Sequence, residues 1–425
     1  MRTPKYYNEK GDTTVQSKSI SGDEVKLYFR KILMDAYSGG ASDVHLESYP
    51  RSGSAKLQFR IDGELHDIAE LPIATVTQVV SYAKTMAKIE LVGRSRAISK
   101  TLDASDLGLD LGGTAFRFTF VPLSIGTDDL VIRIWSDHFG PEFGQMGVPD
   151  GIEKAMLATS CGTILFTGGA GCGSSTLAIA YLNSCAKARK KVWYVDVESE
   201  LFDVLPPSIR GVKCSSEDDL QSAAITVEKA DPDILYLGQL DSKLKSTIAS
   251  KFSSQGHLVV ANMYANSSAQ GIATYLEIGR GILPWQLLNS LAGVVNQRIE
   301  RRLCHDCKQK VVWSETEFLQ HLSTHCQMTI EDMEKATSKR SQGSPVETWR
   351  KKGCAKCHNT GYRGRVGLYG YVPISDQFRL LMSQDSSYSA IERALTTEGY
   401  FHKQHDALRK ALLGQVSLDT VEEPA

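Results

Sequence analysis

No apolar run in this 425-residue sequence approaches the ~18–20 residues of a membrane-spanning helix. The opening segment, MRTPKYYNEKGDTTVQ, also lacks the apolar core of a signal peptide. Both absences predict a cytosolic protein. In that compartment the nine cysteines read as thiols or metal ligands rather than disulfides. An excess of one charge is missing too. Lys and Arg total 48, Asp and Glu 49, and the net charge of −1 gives no bulk attraction for nucleic acid or an acidic membrane. There is no internal repeat and no low-complexity tract. Length and a 42% hydrophobic share suit two or three globular domains.

One further absence falls on a single residue. The segment Gly168-Gly169-Ala170-Gly171-Cys172-Gly173-Ser174-Ser175-Thr176 fits the phosphate-binding pattern G-x-x-x-x-G-K-[ST] except at Ser174, where a lysine belongs. Thr163 to Phe166 before it reads as a buried strand, and Ser175 to Asn183 after it as an amphipathic helix. Strand, glycine loop and helix N-terminus make a cradle of backbone N–H groups for an anion. The missing lysine is the point charge that reaches the β- and γ-phosphates. A chance Gly-rich turn and a tolerated Ser174 variant are the rival readings.

The chain divides by pattern. Residues 1–21 are polar and aperiodic, a flexible lead. From 22 to 135 runs an α+β lobe. Asp23 is placed as the cap of a helix carrying Val25, Phe29, Ile32, Leu33 and Ala36 on one face. Strand-like runs follow at Val44–Glu47, Lys56–Ile61 and Glu64–Ile68, the last two joined by the hairpin signal Asp62-Gly63. A helix over about Ile73 to Leu91 and strands near Phe116–Phe120 and Leu130–Trp135 complete the lobe. Residues 136–150 are rich in Gly and Pro and read as a linker. From 151 to 299, strands at 163–166, 192–195, 234–237 and 258–260 alternate with helices, which predicts a mostly parallel α/β sheet. A cysteine-bearing arm spans 300–367, and a helical tail 368–425.

Cys304-x2-Cys307 and Cys354-x2-Cys357 form two knuckle-like pairs. Four thiolates suit a closed, structural Zn2+ site, although the gap between the pairs exceeds that of a tight zinc ribbon. His305 and His358 flank the knuckles. They, with His321, His325 and Cys326, are expected to be solvated surface residues. Cys161, Cys172, Cys185 and Cys214 read as small buried or loop residues.

Together these residues resemble the assembly ATPases of type II secretion and type IV pilus systems, over about residues 22 to 422. The resemblance is carried by ASDVHLE (41–47), FRIDGEL (59–65), the glycine loop, ADPDILYLG (230–238), QGHLVVANMYAN (255–266), NQRIERRLCHDCK (296–308), GCAKCHNTGYRGRVGLYGYVPISD (353–376) and LRKALLGQVSLDTVEE (408–423). It implies a PAS-like N-terminal lobe, a RecA-like P-loop NTPase domain with the tetracysteine zinc arm, and a helical C-terminal tail. It also implies a hexameric ring on the cytoplasmic face of the inner membrane, beneath a membrane platform protein, with ATP and Mg2+ between lobes of neighbouring subunits. The additional N-terminal domain of many members is not expected here.

The departures fall on the chemistry. Where the family has G-E-I-R-D, this chain has Gly238-Gln239-Leu240-Asp241-Ser242. Gln239 replaces the acid that activates water, and an amide cannot take a proton. In the acidic box, Val195-Asp196-Val197-Glu198-Ser199-Glu200, Asp196 is retained. In Ala261-Asn262-Met263-Tyr264-Ala265-Asn266, Tyr264 stands in place of the family's histidine. Arg60, Arg117 and Arg133 match arginines that in the family lie near the phosphates of an adjoining site. Surface or intramolecular pairing is the alternative for them. The pattern predicts weak ATP and Mg2+ binding, little or no ATPase activity, and a homo-hexamer or a hetero-ring with an active paralogue. A slow ATPase and an ATP-binding, non-hydrolysing switch remain alternatives.

Overall fold

A computed structural model describes residues 22–89, 97–123, 128–135, 142–197, 199, 201–202, 205–336, 345–357 and 359–422. The expected flexible lead, Glu198, Glu200 and His358 lie outside the described residues. The chain forms two compact units, Met1–Gly140 and Pro141–Ala425.

The first unit opens with α1 (Gly22–Ser38), which buries the predicted face. Asp23 lies inside its first turn rather than at the cap, where its charge suits the positive end of the helix dipole. Then follow β1 (Ala41–Tyr49), β2 (Ser54–Ile61), β3 (Glu64–Pro72), α2 (Ile73–Met86), β4 (Ile98–Asp103), β5 (Ala115–Pro122) and β6 (Asp128–Trp135). They make an antiparallel sheet in the order β3-β2-β1-β6-β5-β4. Asp62 and Gly63 both take positive φ, 51° and 92°, the backbone that a two-residue hairpin needs. Alternation puts Val44, Leu46, Phe116, Phe118, Leu130 and Ile132 on one face, in a core with α1 and α2. Helix α2 stops at Met86, short of the expected Leu91.

The second unit begins within the expected linker. Phe143 is 1% exposed, and its ring centroid lies 5.5 Å from that of Tyr181. The Met146 and Gly147 carbonyls accept from Tyr369 and Arg409 at 3.0 Å each. Residues 142–150 are therefore packed structure. Next come α3 (Asp150–Ala158), β7 (Gly162–Gly168), α4 (Ser174–Lys187), β8 (Val192–Val197), β9 (Ile209–Cys214), α5 (Glu217–Glu228), β10 (Ile234–Gln239), α6 (Lys243–Ser254), β11 (Leu258–Tyr264), α7 (Ser268–Ile278), α8 (Pro284–Ser290) and β12 (Leu291–Leu303). After them run β13 (Gln309–Trp313), α9 (Glu315–His321), α10 (Ile330–Ala336), β14 (Val346–Arg350), β15 (Tyr362–Pro373), α11 (Asp376–Gln384), α12 (Tyr388–Glu398), α13 (Lys403–Leu412) and α14 (Asp419–Glu422).

The main sheet runs β15-β12-β7-β11-β10-β8-β9, parallel except for the β15 edge. Its central strands are apolar on both faces because helices cover both. Leu165, Val195, Leu235 and Val259 pack towards α5, α6 and α7, whereas Ile164, Phe166, Tyr194 and Tyr236 pack with residues of α3 and α4. The arm is inserted between the two longest strands, β12 and β15. Its residues Phe318, Leu322 and Met333 share a core with Ala407, Leu408 and Val421 of the tail, so arm and tail fold as one body.

Candidate functional site

The glycine loop leaves the wholly buried β7 and enters α4 at Ser174. Gly173 caps this helix at φ 81°, and a Cβ there would stand 2.8 Å from Ile299 Cδ1. Only glycine fits that junction. The two following hydroxyls are already engaged. Asn262 of β11, 2% exposed, donates its Nδ2 to Ser174 Oγ at 3.2 Å and Ser175 Oγ at 3.0 Å. Its Oδ1 accepts from Tyr236 Oη at 3.1 Å, and the Tyr236 ring stacks on Tyr194 at 4.8 Å. Burial pushes both phenols far above their ordinary pKa, so both stay as donors.

Asp196, at the end of β8, is 6% exposed and fully engaged. Tyr194 Oη donates to its Oδ2 at 2.9 Å, and the Val197 N–H and Lys245 Nζ reach its Oδ1 at 2.9 and 2.8 Å. Lys245 comes from α6, is 6% exposed, and also donates to the Gln239 carbonyl at 2.7 Å. Gly238 runs so close that a Cβ on it would lie 2.1 Å from Asp196 Oδ2. Sequence reasoning missed Lys245. The signal was available: Lys245 stands in register with Ile248, Ala249 and Phe252, the buried face of α6. Gln239 is half-buried at the end of β10. Tyr264, opposite Gly168 in the β11–β7 register, is 66% exposed.

A cavity of about 190 Å3 opens beside the loop, with Gly169 to Cys172 on one side and Gln297, Arg298 and Lys403 on the other. Lys403, at the start of α13, is 7% exposed, and its Nζ donates to the Asn266 carbonyl at 2.6 Å. Burial, and then the nearby Arg298 charge, pull its pKa down to about 8. No carboxylate pairs with it among the described residues, so the cavity carries a buried positive charge.

The three first-unit arginines share one sheet. Arg133 Nε donates to Asp43 Oδ1 at 2.9 Å, and Arg60 lies 4.0 Å from Oδ2 of the same carboxylate. Arg60 also donates to the Gly63 carbonyl at 2.9 Å. Arg117 faces Arg133 across β5 and β6. Within the chain, Asp43 anchors two of the three.

Cys304, Cys307, Cys354 and Cys357 converge, all four Sγ within 4.8 Å of one another. Cys304–Cys354, Cys307–Cys357 and Cys354–Cys357 are 4.0, 3.8 and 3.7 Å apart. Tetrahedral thiolates on a Zn–S bond of ~2.3 Å stand about 3.8 Å apart, so the set fits the ion. The Gly353 and Gly361 N–H groups point at Cys307 and Cys357 sulfurs at 3.4 and 3.3 Å, as outer-shell donors do. His305 and His325 are exposed, as expected. His321 is half-buried and Cys326 is buried, rather than both being solvated. His321 pairs with Glu422 at 2.9 Å against Trp313, and Cys326, 3% exposed, has its thiol pushed up to about 11 by burial. Apolar neighbours in the arm–tail core cover them, which their polar sequence context hid. Cys172, Cys185 and Cys214 are buried and Cys161 is exposed.

Similar proteins share this architecture. The Legionella pneumophila ATPase DotB superposes with a TM-score of 0.63 at 15% identity, covering 96% of each chain. The pilus retraction motor PilT with bound ADP gives 0.59 at 16%, covering 93% of this chain and 96% of its own. At those identities the likeness is one of fold. The type IV pilus assembly ATPase TfpB of Acinetobacter baylyi is 28% identical over 402 residues, 92% of this chain and 63% of that protein. The type IV pilus assembly ATPase PilB of Thermus thermophilus is 25% identical over 401 residues, 93% of this chain and 42% of its own. The chain thus spans only 63% and 42% of the length of these two relatives. Type II secretion system protein E of Aeromonas hydrophila is 28% identical over 395 residues, 92% of this chain and 73% of its own. A family model described as type II/IV secretion system protein matches residues 20–423, and the chain belongs to that family.

Proposed function

We propose that this chain is a ring component of a type II secretion or type IV pilus-like machine that keeps the assembly ATPase scaffold and hydrolyses ATP weakly or not at all. One observation carries the reading: the polar groups around the loop are engaged with one another. Asp196 is neutralised by Lys245, Ser174 and Ser175 are bound by Asn262, and Gln239 offers no base. The scaffold around them is intact, as expected where contacts matter more than turnover. The ring is a homo-hexamer or joins an active paralogue, and sits at the cytoplasmic face of the inner membrane against the platform protein. Cys304, Cys307, Cys354 and Cys357 hold one structural Zn2+, which ties the arm's two ends together.

A second reading, an ATP-binding switch without turnover, is favoured by the loop-side cavity and its Lys403 charge. Single-turnover hydrolysis with Mg-ATP, together with mass measurement at micromolar concentration with and without a candidate paralogue, tests the proposal. The expected result is assembly with hydrolysis near background. A strict monomer that joins no paralogue removes the ring reading.

A further inference from the structure

Members of this family are expected to use Mg2+ with ATP, and the residues beside this loop do not fit a dication. Three oxygens converge on one point behind the loop: Asp196 Oδ1, the Gln239 carbonyl and Asp241 Oδ1. The atom at that point is Lys245 Nζ, at 2.8, 2.7 and 3.4 Å. An ammonium offers three donors and no acceptor, so it satisfies such a set as a metal ion would. Three of the roughly four acceptor positions of the Asp196 carboxylate are filled, by Lys245, the Val197 N–H and Tyr194. Its charge is balanced by Lys245, and Tyr194 holds its second oxygen. Both side chains of the pair are 8% exposed, so solvent does not screen them. A dication brought to Asp196 would stand within a few ångströms of a buried ammonium, and at short range in a protein interior that repulsion is severe.

We propose that the Lys245 ammonium is the resident cation of this site and that nucleotide binds here without Mg2+. The inference rests on the reading that the loop still takes a phosphate. It goes beyond impaired hydrolysis, because it assigns the charge that replaces the metal and predicts a property of binding.

The test is ATP titration by calorimetry of the full chain, once in excess EDTA and once in millimolar Mg2+. Wild-type affinities should agree within about twofold, a difference of about 0.4 kcal/mol. Lys245→Met should uncover Asp196, so that Mg2+ then tightens binding about tenfold or more, with one Mn2+ per chain visible by paramagnetic resonance in the presence of ATP. If Lys245→Met does not fold, Lys245→Gln keeps a donor towards Asp196 and carries the same expectation. Wild-type binding that tightens tenfold with Mg2+, no ATP binding under either condition, or a folded Lys245 variant still indifferent to Mg2+ overturns the proposal. Hydrolysis is read separately. Turnover indifferent to Mg2+ would sink the impaired-ring reading and leave Lys245 as the cation. Mg2+-dependent binding without turnover would do the reverse.

Discussion

Asn262 Nδ2 donates to Ser175 Oγ at 3.0 Å, so a lone pair of the hydroxyl oxygen that a phosphate-bound metal would need is already taken up by the neighbouring strand. The hydroxyl proton stays available to a phosphate, but a metal ion seeking the same oxygen must compete with this amide. The same side chain is anchored from behind by Tyr236, so it cannot swing aside without leaving a buried donor or acceptor unpaired, at ~1–3 kcal/mol.

Restoring the lysine of the loop and the acid after β10, even together, should therefore fail. Ser174→Lys with Gln239→Glu is expected to hydrolyse ATP as poorly as wild type, because Lys245 still neutralises Asp196. Adding Lys245→Met should raise the single-turnover rate by ~10²-fold, the scale on which one preorganised charge acts. A wild-type rate on the order of 1 s⁻¹ or above would be that of a working motor and would contradict the impaired reading.

Lys403 gives a pH dependence. Its pKa of about 8 lies below the ordinary lysine value of 10.5. Below pH 8 it is charged and supports an anion in the cavity, and above pH 8 that support is lost. ATP affinity should fall between pH 7 and pH 9, and Lys403→Met should flatten that slope. The stability sign is opposite. A lysine with a depressed folded pKa disfavours the fold fully below pH 8, and the penalty fades as pH rises through that value towards 10.5. Relative to Lys403→Met, wild type should gain stability over that interval in urea titrations.

Asp406 tests the tail. It is 0% exposed, pairs with Lys410 and Arg409 at 2.7 Å each, and accepts the Tyr369 N–H at 3.0 Å. Asp406→Ala strands Lys410, itself 1% exposed. It should cost about 3–5 kcal/mol in urea denaturation. Asp406→Asn combined with Lys410→Met should recover much of that loss.

The cysteine cluster should carry one Zn2+ per chain by metal analysis. Serine at any of Cys304, Cys307, Cys354 or Cys357 should lower metal content and thermal midpoint together. Because Phe318 and Leu322 of the arm pack on Leu408 of the tail, chelation should also loosen the tail, read as faster amide exchange in α13. Metal retained in all four single variants would rule out this ligand set.

Strands β7, β8, β10 and β11 were legible because central parallel strands are continuous apolar runs. Strand β9 was not: Arg210 and Lys213 punctuate it, as an edge with one wet side permits. Strand β12 carries Asn296 and Gln297, both buried, and no strand was expected there; its charged end, from residue 300, read as the start of the arm. Residues 142–150 looked like linker because Gly and Pro outweigh two anchors, Phe143 and Val148, whose partners lie far along the chain. The four cysteines were legible through local spacing. Lys245 was not, because a lysine is read as solvent-facing unless its helix register is checked against its neighbours. The expected strand at 258–260 stopped short of Asn262, and a single sequence does not disclose that this residue reaches back to Ser174 and Ser175.

The contact of Gly238 with Asp196 limits the paths by which such a chain could change. Any side chain at position 238 would collide with the carboxylate, so that position is closed while Asp196 stays where it is. Replacing Lys245 first leaves a buried carboxylate uncompensated, and replacing Asp196 first leaves a buried ammonium uncompensated, each at about 3–5 kcal/mol. Both single steps descend into a valley of lower stability, deep enough to endanger a fold of ordinary marginal stability. The two residues are thus interlocked: each is costly to replace alone, and a simultaneous exchange that removes both charges avoids the stranded ion.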